Sequence, residues 1–167
     1  MALFRIDRRT PLTPAEAWRR LTDWERHAQG VPLTRIVVET PPPSGPGTVF
    51  VARTGLGPLG FDDRMEITRW EPPAGDAPGV CRLEKRGRAI TGWAEIEVGT
   101  AGKDRDAKAS SGEGAPREGA SGGGTYLVWR EDLRVRGLPR ALDPLTARAG
   151  RLLFGHAMSV LLRDRTR

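Results

Sequence analysis

Polar and apolar residues alternate from the start of the chain. In Leu3-Phe4-Arg5-Ile6-Asp7-Arg8, Phe4 and Ile6 fall on one face and Arg5 and Asp7 on the other, the period-two pattern of a half-buried strand. Thr10-Pro11 ends it. Thr13-Pro14-Ala15-Glu16 then carries the chemistry of a helix start: a threonine able to cap, a proline suited to the first helical position, and a glutamate able to close a capping box. Ala17, Trp18 and Leu21 supply an apolar stripe, so the spacing predicts a short helix over 14–21. Thr22-Asp23-Trp24-Glu25 opens a second helix of one or two turns, stopped near Gly30.

Period two then returns. Strands are predicted over 34–40, 48–53, 61–70, 80–85, 88–98 and 125–135, separated by Pro- and Gly-containing turns. Short strands with such turns predict a largely antiparallel sheet. Toward the C-terminus, Leu142, Leu145, Ala149, Leu152, His156 and Val160 recur at three- and four-residue steps. That stripe predicts one long helix with Leu152 at the centre of its core-facing side. Asp143-Pro144 disturbs its first turn.

Composition changes this picture in one place. The 167 residues suit a single domain spanning 1–167, yet only 38% are apolar and the mean hydropathy is −0.45. Residues 99–124 account for the deficit: they hold Gly, Ala, Ser and charges and no large apolar side chain. With nothing to offset its ordering entropy, the segment is predicted to be a disordered insertion between two strands. The net charge of +6 permits anionic partners without requiring them. The basic residues are scattered and lack interleaved aromatics, so no nucleic-acid partner is expected. No apolar run reaches the about 18 residues of a membrane span, and the first residues lack the apolar stretch of a secretory leader. Cys81 is the sole cysteine, which excludes an internal disulfide and a cysteine-built zinc site, and a reducing cytoplasm is the expected compartment.

Several motifs bear on chemistry. Gly55-Leu56-Gly57-Pro58-Leu59-Gly60 fits the dinucleotide pattern G-x-G-x-x-G, but a strand pattern follows where a helix is needed, and Pro58 removes an amide. The stretch reads as a hairpin turn. His156 and Ser159 stand three apart on the last helix, without the orienting group and oxyanion site that a nucleophile requires. With His27 and His156 the only histidines, a His-rich metal centre is excluded, and neither metal nor cofactor is expected.

One feature resists a purely structural reading. Asp63 shares strand parity with Phe61, Met65 and Ile67; Lys85 with Cys81 and Leu83; Glu131 with Trp129 and Leu133. Charges facing a dry core cost several kcal/mol each, so these groups must be paired, line a wet cavity or escape at the rim. Glu131, mid-strand, has least access to the rim. The catalytic candidates are therefore Glu131, Asp63 and His156. The candidate ligand-binding set is Asp63, Met65, Ile67, Leu83, Lys85, Trp129, Glu131, Leu152 and His156.

The order strand, two short helices, six strands and long helix resembles the START-like superfamily, also called SRPBCC or helix-grip, and its bacterial polyketide cyclase/dehydrase-like group. The phrases carrying the resemblance are Pro14-Ala15-Glu16-Ala17-Trp18, Leu21-Thr22-Asp23-Trp24, Gly47-Thr48, Trp70-Glu71-Pro72-Pro73, and Gly124-Thr125 followed by Trp129-x-Glu131. The resemblance implies an α+β fold in which a curved antiparallel sheet of about seven strands grips the C-terminal helix, with a ligand cavity between them. It implies a small apolar or aromatic ligand, lipid- or polyketide-like. Two alternatives stay open: a polyketide cyclase or dehydratase using Glu131 or Asp63 as general base with Lys85 or His156 assisting, and a partner-binding module.

Overall fold

A computed structural model describes residues 1–55, 60–101 and 124–163. Seven strands form one antiparallel sheet: β1 (Ala2–Thr10), β2 (Thr34–Val38), β3 (Val49–Thr54), β4 (Phe61–Glu71), β5 (Gly79–Arg86), β6 (Ile90–Thr100) and β7 (Thr125–Val135). Their spatial order is β1-β7-β6-β5-β4-β3-β2. Strands two to seven thus lie beside their sequence neighbours, and β1 closes the far edge against β7 in the register Ala2↔Leu133 to Thr10↔Thr125. β3 and β4 pair antiparallel on either side of the Gly55–Gly60 motif, with Thr54 opposite Phe61; residues 56–59 lie outside the described residues.

Helices α1 (Pro14–Leu21) and α2 (Trp24–His27), followed by a 3-10 turn at Ala28–Gly30, fill the crossover from β1 to β2. Thr13 caps α1, its hydroxyl accepting the Glu16 amide at 3.3 Å, and Pro14 holds the first turn. A 3-10 turn at Arg140–Leu142 leads into the long helix α3 (Asp143–Leu162), the disturbed start that Asp143-Pro144 predicts.

The core lies between the sheet and the helices. Leu21, Ile67, Leu83, Ile96, Leu127, Met158 and Leu161 are fully buried there, each stabilising the fold by about 1.5–3 kcal/mol relative to exposure. Aromatic rings run through it in series. Phe4 stacks on Phe154 (centroids 5.9 Å apart), Phe154 on Trp129 (5.3 Å), and Trp129 meets His27 (6.0 Å). His27 in turn meets Trp24 (5.6 Å), which stacks on Phe50 (4.6 Å).

Two expectations are corrected. Gly99 and Thr100 belong to β6, paired with Tyr126 and Thr125, so the insertion begins later than 99. Tyr126 packs over Gly99, where a Cβ would sit 2.6 Å from its ring, so that glycine answers to packing. Residues 102–123, the body of the expected insertion, lie outside the described residues. The second correction is the rotation of α3. Leu152 is 69% exposed, and Leu145 is exposed as well. The buried side instead carries Gly150, Gly155, Ala157, Met158 and Leu161. Small residues decide the rotation. A Cβ on Gly150 would lie 2.6 Å from the Phe4 ring, and one on Gly30 would lie 2.6 Å from the Ala157 Cα. Close approach at these two points seats the helix on β1 and on the turn after α2, and it turns the leucine stripe outward.

Candidate functional site

Sheet register gathers three ionisable side chains on the concave face. Lys85 on β5 lies opposite Met65 on β4, which places Asp63 as its diagonal neighbour. On the other side β6 separates β5 from β7. There Gly92 lies opposite Lys85, and Ala94 lies opposite Glu131. These two small residues on β6 leave the space through which the Lys85 side chain reaches across a full strand. Its Nζ stands 2.6 Å from Asp63 Oδ2 and 3.2 Å from Glu131 Oε1. The side-chain exposures are 3% for Lys85, 9% for Asp63 and 0% for Glu131, so all three charges are withdrawn from water.

Their surroundings are aromatic and soft. Trp129 Nε1–H donates to Glu131 Oε2 at 2.9 Å. Lys85 Nζ lies 3.6 Å from Met65 Sδ and 5.9 Å from the centre of the Phe154 ring, within cation–π range. Ile67 and Leu83 are buried on the same face. Two carboxylates face one ammonium, so the cluster is negative when all three groups are ionised. Asp63 Oδ1 is buried with no hydrogen-bond partner among the described residues.

The protonation equilibria follow from that imbalance. Burial raises the Glu131 pKa above the ordinary carboxylate value, opposed by Lys85 and the Trp129 N–H and assisted by the charge of Asp63. Burial works to lower the Lys85 pKa, but Glu131 and Asp63 outweigh it and hold the ammonium above its ordinary value. Lys85 is therefore charged at neutral pH, while Glu131 is the group inclined to hold a proton.

His156 is not part of this cluster. It is exposed on α3, and the Ser159 hydroxyl donates to the Gly155 carbonyl at 2.9 Å, as helical serines do, leaving no His156–Ser159 couple. Leu152, on the outward side, also stands apart from it. His156 does border a cleft of about 540 Å³, formed mainly by Ala28–Arg35 with Arg53 and Gly55. Asp63, Lys85 and Glu131 do not line that cleft.

The buried histidine is His27, whose Nε2 lies 2.7 Å from the Leu21 carbonyl oxygen. A carbonyl can only accept, so Nε2 carries the hydrogen. Burial pulls the His27 pKa below its ordinary value and keeps the ring neutral. Sequence patterning gave no sign of this role beyond the helical spacing of Trp24 and His27. Phe154 was also missed, because it lies off the leucine stripe. Cys81 is fully buried, and burial pushes its thiol up to about 12, which makes it a poor nucleophile.

No protein-family model matches the chain. No curated protein matches it either. Among solved structures, the crystal structure of Ara h 8.0201 is similar over 97% of this chain and 98% of that chain, with a TM-score of 0.54 and 14% sequence identity. An identity of that size speaks to architecture alone. The seven-stranded antiparallel sheet closed over a long C-terminal helix, with two short helices after the first strand, is a helix-grip fold.

Proposed function

We propose that the protein binds a small apolar or aromatic ligand between the concave face of the sheet and α3, and that the Asp63–Lys85–Glu131 cluster orients the ligand's polar group. The observation that carries this reading is a pair of carboxyl groups and one ammonium buried among aromatic rings, with Asp63 Oδ1 unpartnered. Replacing buried ion pairs by well-packed apolar residues is often neutral or stabilising, so stability alone is a weak reason for the trio. A hydroxyl or amine on the ligand supplies the donor that Asp63 Oδ1 lacks. An aromatic ligand seated beside Trp129 and Phe154 exchanges one ring contact for another. Met65, Ile67 and Leu83 supply the apolar floor.

Native mass spectrometry of the protein purified from its own host tests the reading directly, by the mass of any retained ligand. Titration with polyphenolic compounds, followed by tryptophan fluorescence, is expected to show saturable binding in the native protein. Glu131→Gln is expected to alter the affinity while the fold survives. Compounds that bind equally well to both proteins would exclude the cluster from recognition.

A second reading is a polyketide cyclase or dehydratase with Glu131 or Asp63 as general base: burial raises the Glu131 pKa, which makes its carboxylate, when ionised, a stronger base than an ordinary one. The same titrations followed by product analysis separate the two: unaltered compound supports a carrier, and a cyclised or dehydrated product supports an enzyme.

A further inference from the structure

The outward side of α3 runs against ordinary surface chemistry. Leu145 and Leu152 are 62% and 69% exposed, and Leu142, Leu153 and Leu138 add further exposed apolar surface beside them. Leu145, Ala149 and Leu152 stand at steps of four and three, so they form one ridge, about 10 Å from first to last at 1.5 Å per residue. Scattered exposed leucines need no explanation, but a continuous ridge does.

The charges along α3 that lack an ion-pair partner among the described residues are of one sign. Arg140, Arg148 and Arg151 are exposed and have no acidic partner among the described residues. Asp143 is the single acidic residue between 140 and 163, and the Met1 ammonium takes it at 2.7 Å. The face is therefore leucine-rich and cationic.

These features select among occupants. Residues 102–123 have no large apolar side chain to set against the leucines, and their four basic and four acidic residues cancel. A second copy would bring Arg148 and Arg151 against their own equivalents with no free acid between them. An acidic protein meets the charge requirement, but protein interfaces concentrate Trp, Tyr, Phe and Met at their centres, and this ridge offers aliphatic leucine on a convex helix.

We propose that α3 docks this protein on an anionic lipid surface, with Leu145 and Leu152 inserted at the acyl boundary and Arg140, Arg148 and Arg151 against headgroup phosphates. This is peripheral attachment: no helix among the described residues is long and apolar enough to cross a membrane. It is independent of the ligand reading, because none of these residues touches the interior cluster.

Flotation of the full-length protein with vesicles tests it, using phosphatidylcholine alone and phosphatidylcholine containing phosphatidylglycerol, at low and high salt. The protein is expected to float with the anionic vesicles, less so at high salt, and hardly at all with the neutral ones. Leu145→Ser with Leu152→Ser should weaken that binding about tenfold or more, from the apolar area withdrawn. Arg148→Gln with Arg151→Gln should weaken it about fivefold per arginine. Both pairs are at the surface, and an unchanged thermal midpoint confirms that each still folds. Failure to float with anionic vesicles, or flotation indifferent to the leucine pair, overturns the proposal. So does self-association in sedimentation that the leucine pair abolishes, since that assigns the ridge to a second copy. Binding to an acidic polypeptide such as poly-glutamate that requires the leucines, without vesicle binding, assigns it to a protein and likewise overturns it.

Discussion

On the concave face of the sheet an ammonium and two carboxylates lie buried among aromatic rings, while on the outer side of α3 a ridge of leucines stands in solvent. Both regions invert the usual sorting of polar from apolar, and their costs differ in kind. The interior cluster is costly and locked: three strands hold it, and removing Lys85 leaves two buried carboxyl groups without their cation. The leucine ridge is cheap, because an exposed leucine forgoes burial without breaking any contact. A change inside should therefore register as stability, and a change outside should register as association.

Lys85→Met gives the largest expected effect. It leaves Asp63 and Glu131 buried without their cation and should lower stability by about 3–5 kcal/mol, read by chemical denaturation. A loss under about 1 kcal/mol would mean that the carboxylates reach water by a route the fold does not display.

Phe154→Ala and Leu152→Ala sharpen the contrast along a single helix. Phe154 is half-buried against Phe4 and Trp129, and its truncation should cost about 3 kcal/mol. Leu152 faces outward, and its truncation should stay within about 0.5 kcal/mol. Equal effects at the two positions would put the rotation of α3 in error.

Glu131→Gln probes the imbalance of the cluster, since it leaves Lys85 paired one to one with Asp63. Burial raises the folded-state pKa of Glu131 above its unfolded value, so the protonated carboxyl favours the fold. That contribution is fully present below the unfolded pKa and is lost as pH rises through the folded pKa. Wild type and variant should therefore have similar thermal midpoints in acid, with the variant gaining relative to wild type as pH rises. A gap that does not change with pH would show that Glu131 titrates alike in the folded and the unfolded chain.

The smallest effect is expected from replacing residues 102–123 by a short Gly/Ser turn. The Ala101 amide already donates to the Gly124 carbonyl at 2.7 Å, so the two ends are joined whatever lies between. Closure entropy varies only slowly with loop length, and the thermal midpoint should be nearly unchanged.

The strands and the helix differ in how much of them the sequence makes legible, for a physical reason. In a strand the side chain alternates faces without drift, so the parity of Asp63, Lys85 and Glu131 with apolar neighbours was enough to set them on one side of the sheet. Which strands stand next to one another is not written in parity, nor is the clearance over Gly92 and Ala94 that lets Lys85 reach Glu131. The helix was harder to read because α3 is apolar on two opposite sides. Periodicity found the leucines, which are the outer side, whereas the buried side is marked by Gly150, Gly155 and Ala157, residues with little hydrophobicity to detect. The same blindness exchanged the histidines: His156 lay on the stripe, while His27, in a one-turn helix, reached the core.

The pairing of β1 with β7 makes the first strand wait for the last. Strands β2 to β7 can zip up in order while the chain emerges, each pairing with the strand made just before it. β1 is made first, yet its partner is the last strand, more than a hundred residues later, as the register Ala2↔Leu133 shows. Through most of translation Phe4 and Ile6 therefore have no sheet to join, and an unpaired apolar strand is a site for wrong pairing and for chaperone capture. The wait ends when β7 and α3 leave the ribosome, and the Met1 ammonium closes on Asp143.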